Sequence, residues 1–324
     1  MKNFNSFLSP QLNEYLSYRQ SLGYSTRVSR AYLLVFDQYL RKTNADWDSL
    51  QPFYFLEMRA NLDIEPRSVN RVFSSVRVFF HFLLRREYVE ENPLHDIPPL
   101  RENSIIPFVF SPEQIDQLLG VICQREGRSE KHFLIDLSLY LAVVLLARCA
   151  MRISEPLKLM RNHYRQDDGT LYIEKTKFKK QRLIPVPRAA MTEIENYLSV
   201  RQSLNPHDLN PYLLAGKNLG PLKAEQVRYV FRSALKKIGL DQSRKVIGNM
   251  NFTQPTPHSL RHSFAVNTLI KIRHRGQSPQ RALPVLAAYM GHSEYKYTSV
   301  YLRVADAQSR KNLVDFSLWQ KRKE

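Results

Sequence analysis

An arginine that could bind an anion follows the most apolar stretch of the sequence. Arg152 and Glu155 come shortly after the apolar run at 137–147. An arginine close to a protein core needs a carboxylate or a phosphate as its partner. A structural ion pair between Arg152 and Glu155 would satisfy this need, so phosphate binding is the alternative at this point.

A second group of polar residues has the spacing of one helix face. His258, Arg261 and His262 occupy positions i, i+3 and i+4, which lie side by side on an α-helix. An arginine can donate two parallel hydrogen bonds to a phosphate, and a histidine can donate or transfer a proton. Two histidines four residues apart could instead bind zinc, but neither an adjacent glutamate nor an obvious third ligand follows. A solvated basic helix face is the remaining alternative.

A third segment, near the end of the sequence, combines Gly291-His292 with a run of tyrosines. Within thirteen residues the sequence has Tyr289, Tyr295, Tyr297 and Tyr301. A tyrosine can act as a nucleophile, but its usual pKa of about 10 leaves only ~0.1% as phenolate at pH 7. A nucleophilic tyrosine would therefore need cations nearby. Without such cations, these tyrosines are most simply packing residues.

The charge of the chain indicates a polyanionic partner. The 324 residues contain 48 Lys and Arg against 30 Asp and Glu, a net charge of +18. Residues 1–100 carry a net charge of only +1, so residues 101–324 carry +17. A folded segment this basic favours nucleic acid over a membrane surface, because the charge is not concentrated on one amphipathic helix. A ribosome-associated or simply basic protein is the alternative.

The remaining composition predicts a globular protein of the cytoplasm. Hydrophobic residues make up 43% and charged residues 24%, which suits packed cores rather than disorder. No apolar run reaches the ~18 residues of a membrane span, and the N-terminus has no apolar signal core. The two cysteines, Cys123 and Cys149, are too few for a zinc site and fit a reducing compartment.

Helical periodicity dominates the first hundred residues. Apolar residues recur at helical spacing and predict four helices near 8–22, 26–42, 49–61 and 68–86. These helices would form a small bundle, which we take as a first domain at 1–90. Prolines in the polar stretch 91–107 predict an extended linker, because proline has no amide hydrogen and resists helix formation. The second domain is expected over 108–324.

The second domain is predicted to be helical with one small sheet. Helical patterning covers 112–124, 131–149, 153–160, 188–202, 222–238, 258–273 and 281–289. Short β-type runs at 171–173 and 182–186 enclose a basic turn and predict a small antiparallel sheet. The expected fold class is therefore mainly α with a small antiparallel β-sheet.

Taken together, these segments resemble the tyrosine recombinase, or phage-type integrase, family over nearly the whole chain. The family motifs are matched by Arg152 to Glu155 as Arg-x-Ser-Glu, by Lys177 in the basic turn eight residues before Pro185, by His258 to His262 as His-x-x-Arg-His, and by Gly291-His292 followed by Tyr301 nine residues after the histidine. Each motif alone is weak, but the ordered set is specific. One departure is Ala150, which stands where the family usually has glycine. The resemblance implies an N-terminal helical core-binding domain that clamps DNA and a larger α+β catalytic domain.

The resemblance also implies DNA strand transfer that needs no cofactor and no metal. Tyr301 would attack a phosphodiester and form a 3′-phosphotyrosyl link, leaving a free 5′-hydroxyl. Arg152 and Arg261 would bind the non-bridging phosphate oxygens and stabilise the charge that develops during attack. His292 would add a further hydrogen bond to the phosphate.

The same resemblance implies roles for four other residues. His258 would accept the proton of the attacking tyrosine or hold its hydroxyl. Lys177 would protonate the departing 5′-oxygen, which is otherwise a poor leaving group. Glu155 and His262 would fix the orientation of the arginine and of the tyrosine.

Double-stranded DNA is the expected partner, bound mainly through its phosphates. The candidate DNA contacts are Arg67, Arg71, Arg77 and Arg85 in the first domain and Lys179, Lys180 and Arg182 beside the basic turn. The resemblance implies a homo-oligomer, with a tetramer expected in the synaptic complex and an apolar tail at 302–324 that docks on a neighbouring subunit. Accessory DNA-bending proteins are further candidate partners. We expect the protein to associate with the nucleoid.

Three other functions fit parts of the sequence. A type IB topoisomerase-like enzyme would use the same chemistry without strand exchange, but the linker and the apolar tail favour an assembling recombinase. A non-catalytic DNA-binding relative is disfavoured because every proposed catalytic residue type is kept. A zinc hydrolase built on His258 and His262 is the third alternative.

Overall fold

The chain divides into two compact units, Met1–Asn103 and Ser104–Glu324. The structure, a computed structural model, describes residues 3–124, 130–174, 181–292 and 294–306. The boundary between the units falls inside the stretch 91–107 that separates the two predicted domains.

Over residues 3–103, the first unit is a bundle of four helices. They are α1 (Ser9–Ser21), α2 (Arg27–Lys42), α3 (Pro52–Asn61) and α4 (Pro66–Arg85), so the four predicted helices are confirmed. α4 begins two residues before its predicted start, because Pro66 fits the first helical turn, where no amide hydrogen is needed. The core between the helices is aromatic, and the rings of Phe36, Phe55 and Phe80 pack against one another.

The stretch 91–107 is more ordered than the extended linker expected from its prolines. Leu94 and Ile97 are buried in the core of the first unit. Arg77 on α4 donates from Nε to the carbonyl of Leu94 (3.0 Å) and from Nη2 to that of Ile97 (2.7 Å). Ser104–Ile106 then forms strand β1 in the second unit. The prolines exclude helix here, but they do not prevent the chain from packing.

The second unit packs most of its helices around one buried helix. Its helices are α5 (Pro112–Cys123), α6 (Glu130–Arg148), α7 (Arg188–Leu204), α8 (Ala224–Lys237), α9 (Pro257–His274), α10 (Pro279–Met290) and α11 over 296–306. α6 is central because residues 141–147 are buried on all sides, and α5, α7, α8 and α9 contact it. The predicted helix at 153–160 is wrong: Pro156 disfavours a helix that runs through it from 153, and only a short 3-10 turn, Pro156–Lys158, forms.

Two three-stranded sheets lie within the described part of the second unit. β2 (Tyr164–Arg165), β3 (Thr170–Ile173) and β4 (Arg182–Pro185) are antiparallel, which confirms the predicted sheet. In the other sheet, β6 (Met250–Phe252) pairs in parallel with β1 and antiparallel with β5 (Lys245–Ile247). This second sheet was not predicted, because strands of three residues are too short for a clear alternating pattern.

A small separate core positions the end of the described chain. Side chains of α9, α10 and α11 form this core together with Ala150, and Tyr301 and Val304 contribute from α11. The core therefore brings the segments after α6, α9 and α10 to the same place as α11. None of the helices in the described residues is long and apolar enough to cross a membrane.

Candidate active site

The end of α6 places Arg152 at the centre of a group of charged side chains. Ala150 has a φ of 50°, in the left-handed region, and so ends the helix. The Nη1 group of Arg152 donates to Glu155 Oε1 (2.9 Å), and its Nη2 group donates to the carbonyl of Gly291 (2.9 Å). The side chain remains 22% exposed. Arg152 is therefore fixed by Glu155 and Gly291, and part of its side chain remains accessible to a ligand.

Glu155 is buried and is bound by a second arginine from strand β4. Arg182 donates from Nη1 to Glu155 Oε1 (3.0 Å) and from Nη2 to Oε2 (2.9 Å). Burial favours a raised pKa for Glu155, but the hydrogen bonds and the charge of Arg182 outweigh it and lower the pKa. Glu155 is therefore an ionised carboxylate at neutral pH.

The location of Arg182 corrects its predicted role as a DNA contact. Its side chain is only 11% exposed. Besides Glu155, it donates from Nε to the carbonyl of Tyr289 (3.0 Å). A guanidinium that is buried and bound in this way lies inside the site rather than on a surface that meets DNA.

The first turns of α9 carry the second arginine of the family motif. Pro257 occupies the first helical position, and the Ser259 side chain caps the helix by accepting from the amide of Thr256 (3.0 Å). Arg261 is 1% exposed and donates to two backbone carbonyls, those of Ala150 and Met290. Burial and the neighbouring Arg152 lower the pKa of Arg261 to about 9, so it still carries its charge at pH 7.

The two histidines of α9 differ in their contact with the tyrosine. His262 Nδ1 lies 3.0 Å from the hydroxyl of Tyr301, whereas His258 packs edge-on against His262 with ring centroids 4.5 Å apart. The sequence predicted His258 as the partner of this hydroxyl; in the structure the partner is His262. Burial and the neighbouring His258 and Arg261 lower the pKa of His262 to about 3, so its ring is neutral at pH 7. His258 has an exposed face, yet the protein around it and the charge of Arg261 lower its pKa as well.

The turn after α10 presents His292 to the same site. Gly291 ends the helix with a φ of 66°, a conformation that glycine adopts without strain. His292 Nδ1 lies 2.7 Å from Thr298 Oγ1 on α11, which fixes the ring. Burial and the positive charges of Arg261 and Arg152 lower the pKa of His292 to about 4.

Tyr301 is buried in the site on α11. It is 4% exposed, and its ring stacks on that of His292 with centroids 6.2 Å apart. Burial raises the pKa of Tyr301, while the charges of Arg261 and Arg152 oppose this increase. Tyr295 and Tyr297 are half exposed instead. Among the tyrosines on 294–306, Tyr301 is thus the one beside the two arginines.

No third metal ligand accompanies the two histidines in the part of the chain that the structure describes. Residues 3–124, 130–174, 181–292 and 294–306 contain no group of three His, Cys, Asp or Glu side chains placed to bind one ion. The Nδ1 atom of His262 is already bound to Tyr301. The geometry therefore gives no support to the zinc hydrolase alternative.

The predicted DNA contacts have different surroundings in the structure. On α4, Arg67, Arg71 and Arg85 are exposed on the helix face opposite the buried residues. Arg77 is not on this face, and its bonds to the turn at 94–97 favour a structural role over the predicted DNA contact. Lys177, Lys179 and Lys180 lie outside the described residues, as does most of the predicted docking tail.

Sequence reasoning missed a basic cleft beside the start of α9. The cleft has a volume of about 430 Å³ and includes Arg228, Arg232 and Lys236 of α8 on one side and Thr256 on the other. The three basic residues recur every four positions, so the helical spacing was visible in the sequence. What the spacing did not reveal was the neighbouring turn that completes the cleft.

Comparison with known proteins identifies relatives for most of the chain. The model of the phage integrase family matches residues 109–308. The putative integrase/recombinase y4rB of Sinorhizobium fredii is 26% identical over 90% of this chain and 91% of its own length. Tyrosine recombinase XerA of Pyrococcus furiosus is 26% identical over 95% of this chain and 96% of its own length.

Solved structures with the same fold are integrases and recombinases. A lambda integrase dimer bound to a COC′ core site aligns with a TM-score of 0.65 and 16% identity, over 92% of this chain and 77% of that one. The Tn1549 transposon integrase in complex with a circular intermediate DNA aligns with a TM-score of 0.65 and 18% identity, over 95% of this chain and 100% of that one. At these identities the likeness establishes the fold.

Proposed function

This chain belongs to the phage integrase family of tyrosine recombinases, and we propose that it is a site-specific recombinase that cuts and rejoins DNA through a covalent link to Tyr301. One observation carries the proposal. The hydroxyl of Tyr301 is buried in the same site as Arg152 and Arg261, whose charges oppose the rise in its pKa that burial causes. Cations held beside a buried phenol are the arrangement that attack on a phosphodiester requires.

Arg152 and Arg261 bind the scissile phosphate. Negative charge on the non-bridging oxygens grows as the phosphorus becomes pentacoordinate, and guanidinium groups already held in place stabilise it. The backbone carbonyls of Gly291, Ala150 and Met290 hold the two arginines before DNA arrives. Loss of one such donor typically raises a barrier by ~2.7–4 kcal/mol.

His262 accepts the proton of the attacking hydroxyl, in place of the His258 expected from the sequence. Neutral His262 can receive a hydrogen bond from Tyr301 at Nδ1 if its own hydrogen is on Nε2. Burial is the main cause of the low pKa of His262, but bound phosphate offsets the part due to the charge of Arg261, which makes the ring a stronger base during the reaction. His258 and His292 border the phosphate, and Lys177 keeps its expected role as the proton donor to the 5′-oxygen.

The proposed step conserves atoms and electrons without an external energy source. A bond forms between the Tyr301 oxygen and phosphorus, and the bond from phosphorus to the 5′-oxygen breaks. The products are a 3′-phosphotyrosine and a 5′-hydroxyl. A 5′-hydroxyl from a partner strand reverses the step, so neither ATP nor a metal is required.

Double-stranded DNA is the proposed substrate and a homo-oligomer the proposed assembly. The net charge of +17 over 101–324 and the basic cleft beside α9 support phosphate binding. The related lambda integrase and Tn1549 integrase were solved in complex with DNA, the former as a dimer. We place the first unit as the core-binding domain and the second as the catalytic domain, acting together at the nucleoid.

Covalent capture on DNA tests the proposal. The purified full chain is incubated with a pool of duplexes that carry a randomised core and a nick a few nucleotides from each candidate cleavage position. Loss of the short nicked strand prevents religation, so cleavage leaves a stable protein–DNA adduct. We expect an adduct with the wild type and none with Tyr301→Phe, and sequencing the captured DNA yields the target. An adduct that survives Tyr301→Phe would contradict the proposal.

A further inference from the structure

Arg182 joins three parts of the site although no family motif in this sequence includes it. It begins strand β4, binds both carboxylate oxygens of Glu155 and donates to the carbonyl of Tyr289 at the end of α10. These contacts come from segments 27 and 107 residues away. A buried arginine with this many fixed partners determines where those partners lie.

Charge balance suggests what Arg182 does for Arg152. Glu155 is the carboxylate that contacts Arg152, and a carboxylate competes with phosphate for a guanidinium. Arg182 engages both oxygens of Glu155, so Glu155 needs only one hydrogen bond from the Arg152 guanidinium. Among the described contacts, Arg152 uses one hydrogen on each Nη atom, which leaves three of its five N–H hydrogens for a ligand.

A steric contact ties Arg182 to the turn that carries His292. A methyl group added at Gly291 would lie 3.0 Å from Arg182 Nη1 and 3.1 Å from its Cδ. The left-handed φ of Gly291 and the close side chain of Arg182 therefore both disfavour a larger residue here. The carbonyl of the same Gly291 accepts from Arg152, so Arg182 packs against the turn that orients both Arg152 and His292.

We infer that Arg182 is a positioning residue for strand cleavage. It holds Glu155 so that Arg152 remains available to the scissile phosphate, and it supports the turn at Gly291-His292. The inference rests on the proposed function, because its effect is on the cleavage step. Arg182 itself does not touch the DNA.

A double-mutant cycle on the captured duplex tests this role. The variants are Arg182→Gln, Arg182→Lys, Glu155→Gln and the Arg182→Gln/Glu155→Gln double variant, with the exposed Arg188→Gln as the matched control. Two quantities are measured for each: the rate of adduct formation at saturating DNA, and the dissociation constant for the same duplex in the Tyr301→Phe background. Thermal unfolding monitors folding.

We expect Arg182→Gln to slow adduct formation by about 100-fold, since small misplacements of binding groups have effects of this size. The dissociation constant should change by less than about 3-fold, and Arg188→Gln should change neither quantity by more than that. Arg182→Lys should recover only part of the rate, because an ammonium group cannot bind both carboxylate oxygens in a fixed plane. In the Glu155→Gln background, Arg182→Gln should slow adduct formation by less than about 10-fold, because the two residues act as one unit.

Two results would overturn the inference. Weaker DNA binding by Arg182→Gln with an unchanged saturated rate would make Arg182 a DNA contact after all. If the rate loss of the double variant equalled the product of the two single-variant losses, Arg182 would not act through Glu155. If Arg182→Gln does not fold, the same cycle is run with Arg182→Lys. If the wild type forms no adduct with any duplex, the proposed function fails and not this inference alone.

Discussion

At the scale of single residues, His262 and its neighbour His258 differ in which of them can accept the proton of Tyr301. The observed hydrogen bond is to His262, so we expect His262→Asn to slow adduct formation by about 10²–10⁴-fold. A duplex with sulfur in place of the bridging 5′-oxygen separates this step from leaving-group protonation, because a thiolate departs without a proton. On that duplex His262→Asn should still form the adduct slowly, whereas Lys177→Ala should regain the wild-type rate of adduct formation.

His258→Asn is the matched control for this prediction, since it changes the same residue type one helical turn away. We expect it to slow cleavage less than His262→Asn. If His258→Asn slowed cleavage more than His262→Asn, His258 would be the proton acceptor.

Ala150 shows how a strained residue can be tolerated at a functional position. Its left-handed conformation costs about 1–2 kcal/mol relative to glycine. Glycine would remove a buried methyl worth about 0.8 kcal/mol and add about 0.5–1 kcal/mol of chain entropy to be lost on folding. We therefore expect Ala150→Gly to change the free energy of unfolding by less than about 1 kcal/mol in urea titrations. A β-branched Ala150→Val should destabilise by more than about 2 kcal/mol, and a neutral result for valine would contradict the strain.

At the scale of elements, α11 matters because it carries Tyr301 and also fixes His292. Thr298 forms the link through its hydrogen bond to His292 Nδ1. Thr298→Val keeps the shape and removes the bond, which should cost about 1 kcal/mol of stability. We expect adduct formation to slow by about 10-fold, because His292 loses its fixed orientation, with DNA binding unchanged.

Ser299→Ala, one residue along α11, is the control for the helix itself. The Ser299 hydroxyl bonds only to the backbone of its own helix among the described contacts, at the carbonyl of Lys296. An equal effect of the two substitutions on cleavage would argue against a specific role for the contact with His292.

At the scale of the whole molecule, the buried neutral histidines make stability depend on pH. His262 and His292 have pKa values lowered to about 3 and about 4, whereas the unfolded chain has histidines near 6.5. Since the unfolded state binds more protons between these values, their contribution is present above pH 6.5 and is lost as the pH falls towards 4. We expect a lower melting temperature at pH 5 than at pH 7, with at most about 2 kcal/mol lost per histidine.

The control for this pH effect removes one titrating ring. His262→Asn should show a smaller difference in melting temperature between pH 7 and pH 5 than the wild type. An identical difference in the two proteins would show that other groups cause the acid sensitivity.

DNA binding by the first unit should depend on one face of α4. Arg67→Gln, Arg71→Gln and Arg85→Gln should each weaken binding and reduce the slope of log affinity against log salt by about 1, because each would remove one phosphate contact. Arg77→Gln is the contrasting variant. It should leave the slope unchanged but lower the melting temperature, because Arg77 holds the turn at 94–97. A reduced slope for Arg77→Gln would contradict this division.

The fold was predictable where long segments have a clear apolar pattern. α4 has a long apolar face and α6 a long apolar run, and their positions in the structure lie within a few residues of those predicted. The strands β5 and β6 have three residues each, and α11 begins in a polar, tyrosine-rich stretch. None of these three elements has a repeating pattern long enough to predict it from the sequence. Pairing and packing with distant segments stabilise them instead.

The sequence predicted which residues meet through its resemblance to the tyrosine recombinase family, and Arg152, Arg261, His292 and Tyr301 do lie in one site. Only the tertiary structure decided which atoms bind to which. His262 forms a hydrogen bond with the tyrosine hydroxyl 39 residues away in the sequence. Arg182 binds Glu155, 27 residues away, and Arg77 binds the carbonyl of Ile97, 20 residues away. The reason is physical: a motif fixes residue types along the chain, whereas a hydrogen bond depends on distances of about 3 Å between segments that only packing brings together.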